Sequence, residues 1–206
     1  MRLLIGGSPS KIFHLKEFAK ALTNLGVNCK LVVDTDICKG FPSRNITDWF
    51  QTRKKFQKLI SEFKPDVILV DRQRHFAKIS SKYKIPLIIH LRGNIWKEIE
   101  WAKETTYKSF FKKIALDVWI SIAKDTFDKS FLIIPICKHL EKVVKENYPD
   151  KKTAVMYQGI NSERWYPSKG MQLKHPCVGL LQGAVIWGKA QEMLVLQKVL
   201  ESMPNV

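Results

Sequence analysis

Residues 66–71, Asp66-Val67-Ile68-Leu69-Val70-Asp71, and residues 86–90, Pro86-Leu87-Ile88-Ile89-His90, decide the fold of this chain. Each run is apolar at successive positions, so neither side of the strand is left for water. A strand of that kind belongs to a sheet covered by helices on both faces, and such sheets are parallel. Working outward, short β-rich runs alternate with segments of helical period. Residues 2–6 read as strand, 11–25 as helix, 29–33 as strand, 47–63 as helix, 74–83 as a short helix and 95–113 as a longer one. Residues 117–122 and 131–135 read as strands, 138–147 as helix, and 152–156 continue the alternation. Within the first helix Leu15, Phe18, Ala19, Leu22 and Leu25 form one stripe while Lys11, Lys16, Lys20 and Asn24 lie elsewhere. Ser8-Pro9 suits the start of that helix and Gly26 the residue just past its end. The expected architecture is α/β, a Rossmann-like doubly wound parallel sheet.

From Gln158 the periodicity lapses through Gly159, Pro167, Gly170 and Pro176, and a new strand (177–182) and helix (189–200) then begin. We expect a first Rossmann-like domain over 1–158, a linker over 159–176, and the beginning of a truncated second Rossmann-like domain over 177–206. One β-α unit cannot bury its own apolar face.

Lys and Arg outnumber Asp and Glu by 35 to 19, a net charge of +16, which favours phosphate-bearing partners without choosing among nucleic acid, lipid and nucleotide. No apolar run is long enough to cross a bilayer, and glycine arrives too early for a secretory leader, so the expected location is cytoplasmic. The four cysteines show no C-x-x-C pair and no zinc spacing, so reduced thiols are expected and no metal site. In the segment NIWKEIEWAKETTYKSFFKKI (94–114), and again in DWFQTRKKFQKLI (48–60), aromatics are interleaved with lysines. That is the composition of a helix resting on anionic lipid, and equally of one packing its aromatics on a sheet.

In an open parallel sheet, ligands bind beyond the carboxyl ends of the strands. Gly6-Gly7 ends the first strand, Asp34 and Asp36 follow the second, Arg72, Arg74 and His75 follow the third, and His90 and Arg92 close the fourth. Glycine allows a phosphate close to backbone N–H groups, and arginine forks suit an anionic acceptor. The glycines do not form G-x-G-x-x-G, which weighs against a nicotinamide enzyme.

Four stretches carry a resemblance. GGSPSKIFHLKEFAKALTNLGVNCKLV (6–32), KPDVILV (64–70) with KYKIPLIIHLRG (82–93), VMYQGINSERWYP (155–167) and VGLLQGAVIWGKAQEML (178–194) run in order along most of the chain. Together they resemble the family 4 (group 1) retaining glycosyltransferases of the two-domain GT-B type. The resemblance implies that this chain is mainly the acceptor-binding half, joined to the start of the donor-binding half. The donor would be a nucleotide-diphosphate sugar, used without metal or cofactor and with retention, and the acceptor a sugar or a lipid-linked molecule. Gly6 and Gly7 would face the donor diphosphate, His90 would lie near the transferred sugar as the catalytic candidate, and Lys189 would hold phosphate. His14, Arg72, Arg74, His75 and Arg92 are the acceptor-side candidates. Two departures stand out: Ala184 follows Gly183 where the family has Gly-Arg, and Gly188 precedes Lys189 rather than following it. The family's acidic pair for the donor would lie beyond residue 206, so this length of chain is expected to be inactive alone. An anionic membrane surface at the inner face is a further expected partner. The competing reading is a non-enzymatic basic α/β module for nucleic acid or another polyanion, but no nucleic-acid motif supports a specific one.

Overall fold

The computed structural model describes residues 1–43, 45–50, 53–164, 169–170 and 187–203. In chain order these form β1 (Arg2–Gly7), a 3-10 turn (Pro9–Lys11) leading into α1 (Ile12–Asn24), β2 (Asn28–Val33), α2 (Asp34–Ile37) and a 3-10 segment (Ile46–Phe50). Then come α3 (Lys54–Phe63), β3 (Val67–Val70), α4 (His75–Ser80), β4 (Leu87–Leu91), α5 (Ile95–Glu104), α6 (Phe110–Lys129), β5 (Leu132–Pro135) and α7 (Lys138–Asn147). A 3-10 turn (Ser162–Arg164) and α8 (Trp187–Glu201) complete the described elements.

The five strands form one sheet in the order β2-β1-β3-β4-β5, every neighbouring pair parallel. The apolar runs that announced the sheet explain its packing, because alternate side chains go to opposite faces. Leu3, Ile5 and Leu69 bury against Leu15 and Ala19 of α1. Leu4, Ile68, Val70, Leu87 and Ile89 bury with Phe56, Phe76, Phe127 and Val144 from helices on the other side. The fold is thus the expected Rossmann-like α/β sheet with helices on both faces. Gly26, with φ of 84°, closes α1 in the left-handed region, where glycine alone is unstrained.

Several local expectations give way to tertiary packing. Residues 117–122, expected as a strand, lie in the middle of the 20-residue α6. Leu116, Ile122, Ala123, Thr126 and Phe127 are its buried positions, so a 3.6-residue stripe overrides the β-branched and aromatic preference of Val118-Trp119-Ile120. The single helix expected over 95–113 is divided between α5 and the start of α6, and the helix expected from 47 becomes the 3-10 segment followed by α3. Residues 152–156 run beside β5, with Ile133 N–H donating to the Lys152 carbonyl and Ala154 N–H to the Ile133 carbonyl, yet form only an isolated bridge. Ser8 precedes the proline-led turn as expected, but its hydroxyl does not cap the helix.

The chain divides into two compact units, Met1–Asn161 and Ser162–Val206. In the second, α8 exposes Leu194, Val195 and Val199. The strand expected over 177–182, the Gly183-Ala184 pair and the side chain of Lys189 lie outside the described residues.

Candidate functional site

The sheet order reverses direction between β1 and β3, the point at which a doubly wound sheet opens a crevice at its carboxyl edge. The chain places a buried polar link there. Ser8, directly after β1, donates from Oγ to Oδ2 of Asp71, directly after β3, at 3.2 Å. Asp71 also pairs through Oδ1 with Arg92 Nε at 3.0 Å, without hydrogen-bond alignment. Beside it, between the same two strand ends, Arg72 donates to Ser10 Oγ at 3.3 Å. The ends of β1, β3 and β4 are therefore tied together by side chains whose positions the strands dictate.

On one side of this link is a small cavity of about 60 Å³, lined by His14, Leu15, Phe18, Leu69, His90, Arg92 and the stretch from Met156 to Gly159. It has room for a few waters and not for a sugar ring. His90 is 3% exposed. Arg92 Nε donates to its Nδ1 at 3.4 Å, which assigns the ring hydrogen to Nε2, and Nε2 has no partner among the described residues. Burial, reinforced by the Arg92 charge, lowers the His90 pKa to about 4, so the ring is neutral at pH 7. His14 is also pushed down, by burial first and then by Arg92 and Lys11, and its ring lies 3.3 Å from the Gln158 side-chain amide.

On the other side is a groove of about 840 Å³, the size of a small-molecule site. Asp34 and Thr35 from α2, Cys38, Lys39, Gly40, Pro42 and Ser43 from the following loop, Asp48 from the 3-10 segment, Arg72, Arg74 and His75 after β3, Thr106 and Tyr107 after α5, and Lys112, Ala115 and Trp119 from α6 line it. The Arg74 guanidinium lies 4.2 Å from the centre of the Trp119 ring. Burial lowers the Arg74 pKa, with the Arg72 charge adding to the effect. Asp34 is buried, and burial raises its pKa against the opposing pull of the Thr35 N–H, which donates to Oδ1 at 2.7 Å, and of Arg72. His75 donates to the Phe41 carbonyl and is held down by burial. A side chain at Gly40 would come within 2.7 Å of the His75 ring, so this histidine anchors the loop over the groove.

The expected residues thus fall into two neighbouring places: His14, His90 and Arg92 at the cavity, Arg72, Arg74 and His75 at the groove. Gly6 and Gly7 are buried, and each has a packing reason to lack a side chain: a Cβ would meet the Phe76 ring and Leu15 Cδ1 respectively, both at 2.3 Å. Three contributors were missed at sequence level. Asp71 was legible, as the first polar residue after an apolar strand at the binding edge. Trp119 was hidden inside the segment read as a strand, and Lys112 was visible only as part of a lysine run. Among the described residues no cluster of three His, Cys, Asp or Glu is placed to hold a metal ion, and no helix is long and apolar enough to cross a membrane.

No family model matches the chain, and no curated protein matches it. Among solved structures the fold is similar to that of Glycyrrhiza uralensis UGT73P12, complexed with glycyrrhetinic acid 3-O-monoglucuronide, at 14% identity and a TM-score of 0.42. The match covers 73% of this chain and 41% of that one. A likeness of this size says nothing of the reaction at either site.

Proposed function

We propose that this chain is the acceptor-side half of a glycosyltransferase that moves a sugar from a nucleotide-diphosphate donor to an acceptor. The observation that carries the reading is the groove at the carboxyl edge of a parallel sheet, beside the strand-order reversal, with arginines, a buried carboxylate and a tryptophan along its walls. Arginine forks suit an acidic group, and Trp119 backs one of them, Arg74. The motif resemblance supplies the finer terms: retention, no metal or cofactor, and Gly6, Gly7 and Lys189 on the donor side. Charge on the departing diphosphate would then be balanced by Lys189 and helix N-termini. His90, neutral and shut against Arg92, acts as a positioning residue that fixes the Arg92–Asp71 pair. His14 and Gln158 close the same cavity, and His75 holds the loop above the groove.

The acceptor reaches the groove from an anionic lipid surface at the inner face of the membrane. Support comes from the first turn of α6, where Phe110 and Phe111 are 73% and 81% exposed beside Lys112 and Lys113, at the groove's rim.

The test is nucleoside diphosphate release from UDP-, GDP- and ADP-sugars by the gene product that carries this chain, with and without acceptor. Release that depends on acceptor and is lost on Arg74→Met supports the reading. No release from any of the three by folded protein overturns it, and tight preference for one RNA structure would favour the polyanion-binding alternative instead.

A further inference from the structure

Arg74 is half-buried and, among the described residues, has no carboxylate within ion-pairing distance. Among charged groups the strongest influence on it is another cation, Arg72, ahead of Tyr107, Asp34 and Glu98. A guanidinium withdrawn from water without a counter-ion is costly, and stacking on Trp119 offsets only part of the loss. The other cations of the groove are differently placed. Lys39 is paired with Asp48, while Arg72 and Lys112 are exposed and line the same space. Asp34, lining the same groove, is buried with one oxygen held by the Thr35 N–H.

We infer that the groove recognises a phosphomonoester-bearing sugar, its phosphate seated on Arg74 and Arg72 within reach of Lys112 and one of its hydroxyls donating to Asp34. The inference rests on the acceptor reading in taking this molecule as the sugar's recipient. The anion site itself is independent of that reading. Two planar forks converging on one space suit the tetrahedral oxygens of phosphate, and the carboxylate lining the same groove disfavours a ligand that is anionic along its whole length, such as nucleic acid. The Trp119 face, already covered by Arg74, becomes part of the cation's support.

The experiment titrates the 206-residue chain with glucose 6-phosphate, with glucose, and with vesicles of neutral lipid doped with phosphatidic acid, by calorimetry for the soluble probes and co-sedimentation for the vesicles. Binding of glucose 6-phosphate but not glucose, weakened about tenfold or more by Arg74→Met, is the expected result and assigns a soluble source. Arg74-dependent binding of the phosphatidic acid vesicles alone, with no glucose 6-phosphate bound, assigns the phosphate seat to lipid and overturns the phosphosugar. Arg72→Met, an exposed position, reports on the same site should Arg74→Met lower the melting temperature. Equal affinity for glucose and glucose 6-phosphate, or phosphate affinity unchanged in both variants, overturns the inference. Phosphate binding without sugar transfer by the gene product removes the acceptor reading and leaves the anion site. Transfer to a neutral acceptor with no phosphate bound does the reverse.

Discussion

Asp71 shows how much one side chain can hold at the binding edge. It accepts from Ser8 and faces Arg92, and Arg92 in turn donates to His90, so three residues, Ser8, Arg92 and His90, are linked through it. Asp71→Ala would leave the buried Ser8 hydroxyl with only its long contact to Ser10 Oγ and strip the carboxylate from the mostly buried Arg92 guanidinium. The expected loss is roughly 2–4 kcal/mol in urea unfolding, with Asp71→Asn intermediate because it still accepts from Ser8. At Gly6 the constraint is steric. A methyl there would sit 2.3 Å from the Phe76 ring, so Gly6→Ala should cost about 1–3 kcal/mol, and Phe76→Leu in the same chain should recover part of it. His90 carries a pH dependence. Its pKa falls from 6.5 to about 4 on folding, so the unfolded chain takes the proton first as the solution is acidified. Stability should fall between those two values by about 1.4 kcal/mol per pH unit for this one proton, and its contribution should be flat below pH 4. His14 and His75 are lowered too and push the same way, so the measurement is the difference in slope between the protein and His90→Gln.

At the scale of elements, the strands were legible because their apolar runs leave no polar face, and that pattern has few other homes. The ends of the strands, and hence the residues after them, followed directly. The helices α5 and α6 were not legible in the same way. Both carry aromatics and lysines at close spacing, and the sequence does not say which aromatics face the sheet. The structure sorts them: Trp96 stacks on Phe127 in the core, Trp119 turns to Arg74 in the groove, and Phe110 and Phe111 face outward. Reading 117–122 as a strand hid Trp119, so the contribution of α6 to the groove wall went unseen. The exposed pair gives a clean experiment. Phe110→Ser with Phe111→Ser should leave the melting temperature unchanged, since neither side chain is buried, and should lower co-sedimentation with phosphatidylserine vesicles by about tenfold or more at low salt. Retained binding would mean that charge alone draws the protein to lipid. In that case added salt, which screens exposed lysines, should abolish it.

On the scale of the whole molecule, the core and the groove belong to the same stretch of chain. Among the described residues, both apolar clusters, every strand of the sheet and every residue lining the groove and the cavity fall within Met1–Asn161. That unit holds a core and a groove of its own, as an independently folding domain does. A chain ending at Asn161 should therefore unfold in a single cooperative transition and keep the far-UV dichroism of a helix-rich α/β protein. Its affinity for glucose 6-phosphate should match that of the longer chain within about twofold, because Arg72, Arg74, Lys112 and Asp34 are all retained. Under the proposed function donor binding is the property expected to differ, since Lys189 is removed. A shortened chain that melts without cooperativity would show that α8 or the stretch before it completes the core. One that folds but loses the phosphate would place part of the anion site beyond residue 161, outside the groove described above.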